Sequence, residues 1–161
     1  MVKNSGRHPE NVGSIPTNCS KLFIFNYRLD VMEYIKQRFR TDCFPTCIAM
    51  IAGITHEKAI KIVHPRRKKG SRYGTNLITG CNALKKLKIR HNWFMPWGEK
   101  VKLKNIKNPA IVCVKFPDSA TLYTHVVVWD PVRNKVLDPG VNKPYRRTEY
   151  EKNIKWYLEI L

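Results

Sequence analysis

The sequence predicts an α+β fold, with helices first and an antiparallel sheet after them, and three observations carry that reading. Between residues 42 and 88 the apolar side chains recur at helical spacing in three separate stretches. From residue 89 onward the pattern changes to short β-branched and aromatic runs separated by Pro, Asn, Asp and Gly. A chain of 161 residues has the length of one domain with one core, so the N-terminal helices are expected to pack on the C-terminal antiparallel sheet.

Taken in order, residues 1–20 hold Gly, Pro, Ser, Asn and charge without periodicity, and read as a flexible basic N-terminal arm ahead of a single domain over residues 21–161. The aromatic and branched run 22–27 is a candidate strand. Residues 30–36 are ambiguous, because Val31, Tyr34 and Ile35 have helical spacing while the stretch also fits an extended approach to Gln37. Asp42 begins a firmer pattern: Pro45 stands in the first helical turn, Cys47, Ile48, Met50 and Ile51 form an apolar face, and Gly53 ends the helix. Thr55 is the expected N-cap of a second helix over 56–63, which His64-Pro65 stops. After a basic loop over 66–74, Thr75 is the expected N-cap of a third helix over 76–88, with Leu77, Ile78, Cys81, Leu84 and Leu87 facing inward.

The strand half follows. A short strand is expected over 89–94 and a polar connection over 101–106, then a nearly continuous apolar strand over 110–116. Residues 125–130 and 135–140 flank a turn at 131–134 and read as a hairpin, and 154–161 adds a last strand. No internal repeat is visible.

Composition limits the functions this fold can serve. The 43% hydrophobic fraction and four tryptophans indicate a globular protein, and no apolar run approaches the ~18 residues needed to span a bilayer. The N-terminus carries a basic residue with no apolar segment behind it, so no signal peptide is expected and the expected compartment is the cytoplasm. Five cysteines, an odd number in such a chain, point to free thiols rather than a disulfide framework. Thirty Lys and Arg against twelve Asp and Glu give a formal charge of +18, which favours association with nucleic acid, anionic membrane or an acidic partner. The basic residues lack both zinc-finger spacing and the aromatic interleaving of a base-stacking sheet, so nucleic-acid binding is not favoured as the main function.

The chemistry is read from one cysteine. Thiol catalysis needs a nucleophile, an imidazole to hold its proton, a group to orient the imidazole and donors for the oxyanion. Cys43 begins the first helix, where unpaired backbone N–H groups and the macrodipole favour a thiolate. His125 starts a strand, Asp138 ends its hairpin partner, and Gln37 lies upstream of Cys43 with an amide to offer the oxyanion. The competing acid, Asp130, precedes Pro131 and is read as the start of the turn.

The residues Gln37, Asp42-Cys43, Pro45-Thr46-Cys47 and Ala49-Met50-Ile51, followed by Thr124-His125-Val126-Val127-Val128 and Leu137-Asp138-Pro139, resemble the bacteriocin-processing (double-glycine leader) peptidase family of papain-like cysteine proteases. The resemblance runs from about Tyr34 to Gly140. It implies a papain-like fold and a peptidase in which Cys43 is the nucleophile, His125 the general base, Asp138 its orienting partner and Gln37 the oxyanion donor. The family usually has Gly after the catalytic cysteine where this chain has Phe44, a bulk expected to narrow the cleft. A free-standing domain acting on a peptide or protein substrate, acidic substrates included, is the expected reading. The same apparatus also fits an acyltransferase or deamidase, and a degenerate fold that only binds peptide or nucleic acid is the non-enzymatic alternative.

The remaining residues have structural readings. Cys47, Cys81 and Cys113 sit in apolar patterns and read as core, Asp42 as a helix cap, and His8, His56, His64 and His91 as surface or cap residues. Trp93, Trp97, Trp129 and Trp156 read as core or cleft-wall aromatics. Cys43 and Cys47 share a helical face within reach of His56 or His91, yet no second close Cys/His pair completes a zinc site, so neither a metal nor another cofactor is expected.

Overall fold

The computed structural model describes residues 32–66, 74–97, 99–115, 124–140 and 145–161. The arm over 1–20 and the strand over 22–27 lie outside these residues, as does the Phe116 end of the apolar strand. Among the described residues the order is α1 (Cys43–Ala52), α2 (His56–Val63), α3 (Leu77–Lys86), β1 (His91–Phe94), a 3-10 turn (Leu103–Asn105), β2 (Ala110–Val114), β3 (His125–Asp130), β4 (Lys135–Leu137), α4 (Arg147–Lys152) and β5 (Ile154–Ile160). This is the α+β arrangement. No helix among the described residues is long and apolar enough to cross a membrane.

The helix boundaries follow local chemistry. Gly53 ends α1 in the left-handed region at φ 59°, where its N–H closes on the Ala49 carbonyl. The Thr55 side chain accepts the Lys58 N–H at the start of α2. At α3 the cap is Asn76, one residue later than expected, and its Oδ1 accepts the Thr79 N–H at 2.8 Å. Thr75 instead bonds His64 Nε2 at 2.8 Å, tying the end of α2 to the start of α3. Two further expectations are corrected at α1. Asp42 occupies the N-cap position without a side-chain cap bond, because its fully buried carboxylate lies 3.8 Å from His56 Nε2. His56 is accordingly a buried residue, 4% exposed, rather than a surface or cap histidine.

The five strands form one antiparallel sheet in the order β1-β5-β2-β3-β4. On one face Ile111, Cys113, Val126, Val128 and Leu158 pack against Cys47, Ile48 and Ile51 of α1 and Leu84 of α3. On the other, Val112, Val114, Val127 and Trp129 are covered by Leu103 and Ile106 and by Tyr150 of α4. Both faces of β2 are therefore buried, which is why its sequence is apolar without alternation. Each such side chain is worth about 1.5–3 kcal/mol of burial before conformational entropy is counted. The aromatic expectation divides: Trp129 is core and donates its indole N–H to the Ile106 carbonyl, Trp156 is half-buried, and Trp93 and Trp97 are exposed at 53% and 86%.

The ambiguous stretch before Gln37 is extended. Arg133 donates to the Met32 carbonyl at 2.6 Å, and the Gln37 N–H donates to the Pro139 carbonyl at 3.0 Å. Residue numbers rise together in the two partners, so residues 32–37 run in the same direction as residues 133–139, along the outer side of the β3–β4 hairpin. Arg133 is itself held by Asp130, whose buried carboxylate accepts the Arg133 backbone N–H at 3.1 Å and faces its guanidinium at 3.4 Å. Asp130 thus begins the turn.

Candidate active site

The hairpin places His125 and Asp138 side by side, and the helix-on-sheet packing brings Cys43 to them. His125 opens β3, and its Nε2 lies 2.7 Å from Asp138 Oδ1. The Cys43 thiol is near enough to the same imidazole to help raise its pKa. With Nε2 taken by Asp138, Nδ1 is the ring nitrogen left for sulfur. Cys43 is partly exposed at the first position of α1, whereas the next eight residues, Phe44 to Ile51, are buried. A partly exposed cysteine therefore stands at the start of a helix whose following eight residues are sunk in the core.

The carboxylate of Asp138 is fully engaged. Oδ1 also accepts the Gly140 N–H at 2.8 Å, and Oδ2 accepts the Tyr150 hydroxyl at 2.9 Å. Burial alone would raise the Asp138 pKa, yet the contacts from His125, Gly140 and Tyr150 hold it below the ordinary carboxylate range. Burial likewise opposes a charge on His125, but its interactions with Asp138 and Cys43 prevail and push its pKa up to about 9. Gly140 has a steric reason to be glycine: a Cβ there would lie 2.9 Å from His125 Cε1.

Gln37 reaches the same region through its backbone bond to Pro139, the residue after Asp138. Its Oε1 is buried without a hydrogen-bond partner among the described residues, an acceptor that the fold does not use. Two residues at the site were not singled out from the sequence. Tyr150 is completely buried, and its oxygen accepts the Tyr145 N–H at 3.2 Å, which turns the hydroxyl proton toward Asp138. Tyr34 lies close enough for burial and the Asp138 charge to raise its pKa. The signal for Tyr150 was faint: α4 has six residues, too few for an apolar period to repeat.

Phe44 does not line the cleft. Its ring is 2% exposed, faces Trp156 with centroids 6.0 Å apart, and rests against Gly80 of α3. A Cβ on Gly80 would lie 2.1 Å from Phe44 Cζ, so the large residue on α1 and the missing side chain on α3 fit each other. Narrowing of the cleft by Phe44 is therefore not what the structure shows.

The other cysteines are packed groups. Cys47 is buried with its sulfur 3.4 Å from the Val126 carbonyl, and burial, aided by the Cys43 and Asp138 charges, pushes its thiol pKa well up. Cys113 is buried and raised to about 12, chiefly by burial. Cys81 is half-buried against the core. All four described cysteines are free, and no group of three His, Cys, Asp or Glu side chains among the described residues is placed to hold a metal ion.

This order of helices and antiparallel strands matches solved peptidase structures. A double-glycine motif protease from an AMS/PCAT transporter, solved in complex with the leader peptide, superposes with a TM-score of 0.57 at 16% identity, over 80% of this chain and 89% of that one. The chain has a papain-like, double-glycine peptidase fold. The peptidase domain of Streptococcus ComA, a bifunctional ABC transporter involved in a quorum-sensing pathway, gives a TM-score of 0.52 at 16% identity, over 81% of this chain and 98% of that one. No family model and no curated protein matches the sequence. At this identity it is the fold that is shared, and the chain spans almost the whole of both neighbours.

Proposed function

We propose that this double-glycine-peptidase-like chain is a cysteine peptidase that hydrolyses a peptide bond through a Cys43 thioester. The observation that carries the reading is the imidazole of His125, bonded to Asp138 and close to Cys43, the partly exposed residue at the head of a buried helix. The Cys43 sulfur attacks the carbonyl carbon, and His125 gives a proton to the leaving amine as the C–N bond breaks. Water, deprotonated by His125, then releases the acid and frees the thiol. Oxyanion donors are the Gln37 amide and the Cys43 backbone N–H, which at the first helical position has no intrahelical acceptor. Asp138 holds the imidazole in place, and Tyr150 holds Asp138. Because one neighbour was solved with a leader peptide bound, peptides with a double-glycine leader are the first substrates to try.

The test has two stages. Iodoacetamide should label Cys43 well ahead of Cys47, Cys81 and Cys113, and His125→Ala should abolish that preference; equal, slow labelling of all thiols would sink any enzymatic reading. Mass analysis of the products then separates a free carboxylate, expected for hydrolysis, from an amide or conjugate, which would make the chain an acyltransferase. Release of ammonia from a glutamine substrate would mark a deamidase.

A further inference from the structure

Four large apolar residues within five positions, Trp93, Phe94, Met95 and Trp97, are exposed at one margin of the sheet, at 53, 38, 38 and 86%. The margin is also a strand edge. β1 pairs with β5 on one side, and among the described residues no strand lies on the other. Its hydrogen-bonding register can be worked out. Leu161 N–H bonds to the Arg90 carbonyl, so Arg90, Asn92 and Phe94 turn their backbone groups toward β5, and His91 and Trp93 present theirs outward.

The opposite edge of the sheet supplies a contrast, for there residues 32–37 run alongside the hairpin. The charge on either side of β1 in the chain is one-sided. Lys85, Lys88 and Arg90 precede the strand and Lys100 and Lys102 follow it, against one acid, Glu99, whereas Lys86 turns to the Ile62 carbonyl of α2 and Lys104 and Lys107 lie beside Trp129 and the β3–β4 turn. All five flanking cations are exposed. On the neighbouring strand Glu159 is already bonded to the Asn108 amide.

We propose that the free edge of β1 docks an acidic peptide segment as an added strand. Each feature selects part of that partner. Outward amides and carbonyls at His91 and Trp93 call for a backbone in extended conformation. The exposed aromatic and Met side chains call for apolar residues in its middle, and lysines before and after β1 call for Asp and Glu at its two ends. A second copy of this chain is a poor occupant, since each copy brings a charge of +18. A base-stacking platform is disfavoured because alternate residues of a strand point to opposite faces: Phe94 stacks on Tyr157 on one face of the sheet, and Trp93 lies on the other, opposite Leu158. The edge is three strand spacings, about 14 Å, from the strand that carries His125. Docking there holds a partner without filling the cleft.

The test titrates the full chain with an eight-residue peptide of alternating Val and Ile flanked by Glu and Asp. Calorimetry gives the affinity, and amide NMR shifts give the location. Expected are shifts centred on His91 to Met95, and about tenfold weaker binding when alternate peptide amides are N-methylated, since that removes the strand hydrogen bonds but not the charge. Replacing the peptide's acids with Lys should abolish binding, and Trp97→Ala should weaken it with the urea midpoint unchanged. Equal affinity of the N-methylated or the Lys peptide overturns the proposal, as do shifts confined to the cleft around Cys43. Failure of the acidic peptide to bind, with binding instead to phosphatidylglycerol vesicles or to poly-uridine, also overturns it and assigns the surface to lipid or RNA. None of these outcomes depends on whether Cys43 is catalytic.

Discussion

The fit of Phe44 to Gly80 can be tested as a coupling energy. Phe44→Ala removes a buried ring and should cost about 3–5 kcal/mol. Gly80→Ala on its own has two opposing effects: the new methyl would sit 2.1 Å from Phe44 Cζ, an overlap that must be relieved by moving a ring packed against Trp156, while the helix gains about 1 kcal/mol by losing a glycine. Overpacking in a filled core costs about 1–3 kcal/mol, and an overlap this deep belongs at the upper end, so the single variant should be net destabilised by about 1–2 kcal/mol. In the Phe44→Ala background the obstacle is gone. The same Gly80→Ala change should then stabilise by up to about 1 kcal/mol. Urea unfolding of the four proteins, with equal m-values, gives the cycle, and a coupling of about 2–3 kcal/mol is expected. Additivity within about 0.5 kcal/mol would refute the reading, because the two residues would then not be filling one space.

Three further outcomes follow from the site. Tyr150→Phe keeps the ring and removes the hydroxyl on Asp138; the acid limb of peptidase activity should move to higher pH, and stability should fall by about 1–3 kcal/mol, whereas an unmoved limb would show that the hydroxyl does not hold Asp138. For His125, whose pKa is raised to about 9, the stabilisation is complete below the unfolded value near 6.5 and is lost as pH rises through 9; the unfolding free energy from urea titrations should drop across that window by on the order of 3 kcal/mol, and the drop should vanish in His125→Gln. Arg133→Met releases the Met32 carbonyl and leaves the buried Asp130 carboxylate without its cation, so a stability loss of about 2–4 kcal/mol is expected. If residues 32–37 deliver Gln37, kcat should also fall more than KM rises while Cys43 labelling stays fast, and a change in KM alone would count against that role.

What could be read from the residues was whatever had a local cause. Gly53 and Thr55 mark helix ends because each supplies a specific backbone partner, and the continuous apolar run of β2 reflects a strand covered on both faces. The pairing of His125 with Asp138 follows from hairpin register, which a turn at 131–134 fixes. Long-range choices were not legible. Nothing near Asp42 indicates that its carboxylate turns to His56 instead of capping its own helix, and nothing near Phe44 shows that a glycine far along the chain makes room for the ring. Trp93 and Trp97 look like core by residue type, and only the position of β1 at the sheet margin exposes them. Tyr150 was hidden because its helix is short and its partner is a carboxylate rather than a neighbouring apolar side chain.

The place of β5 has a consequence for how the chain folds. This strand, the last of the described strands in chain order, lies between β1 and β2, so those two are not neighbours and are joined through residues 154–160. During synthesis the helices and the β2–β3–β4 meander can form as each emerges, but among the described strands β1 has no partner until β5 arrives. Such late, long-range closure is slow. Until it happens one side of β2 and the exposed aromatics of β1 remain open, and the fold passes through a stage in which its stickiest segments wait for its last strand.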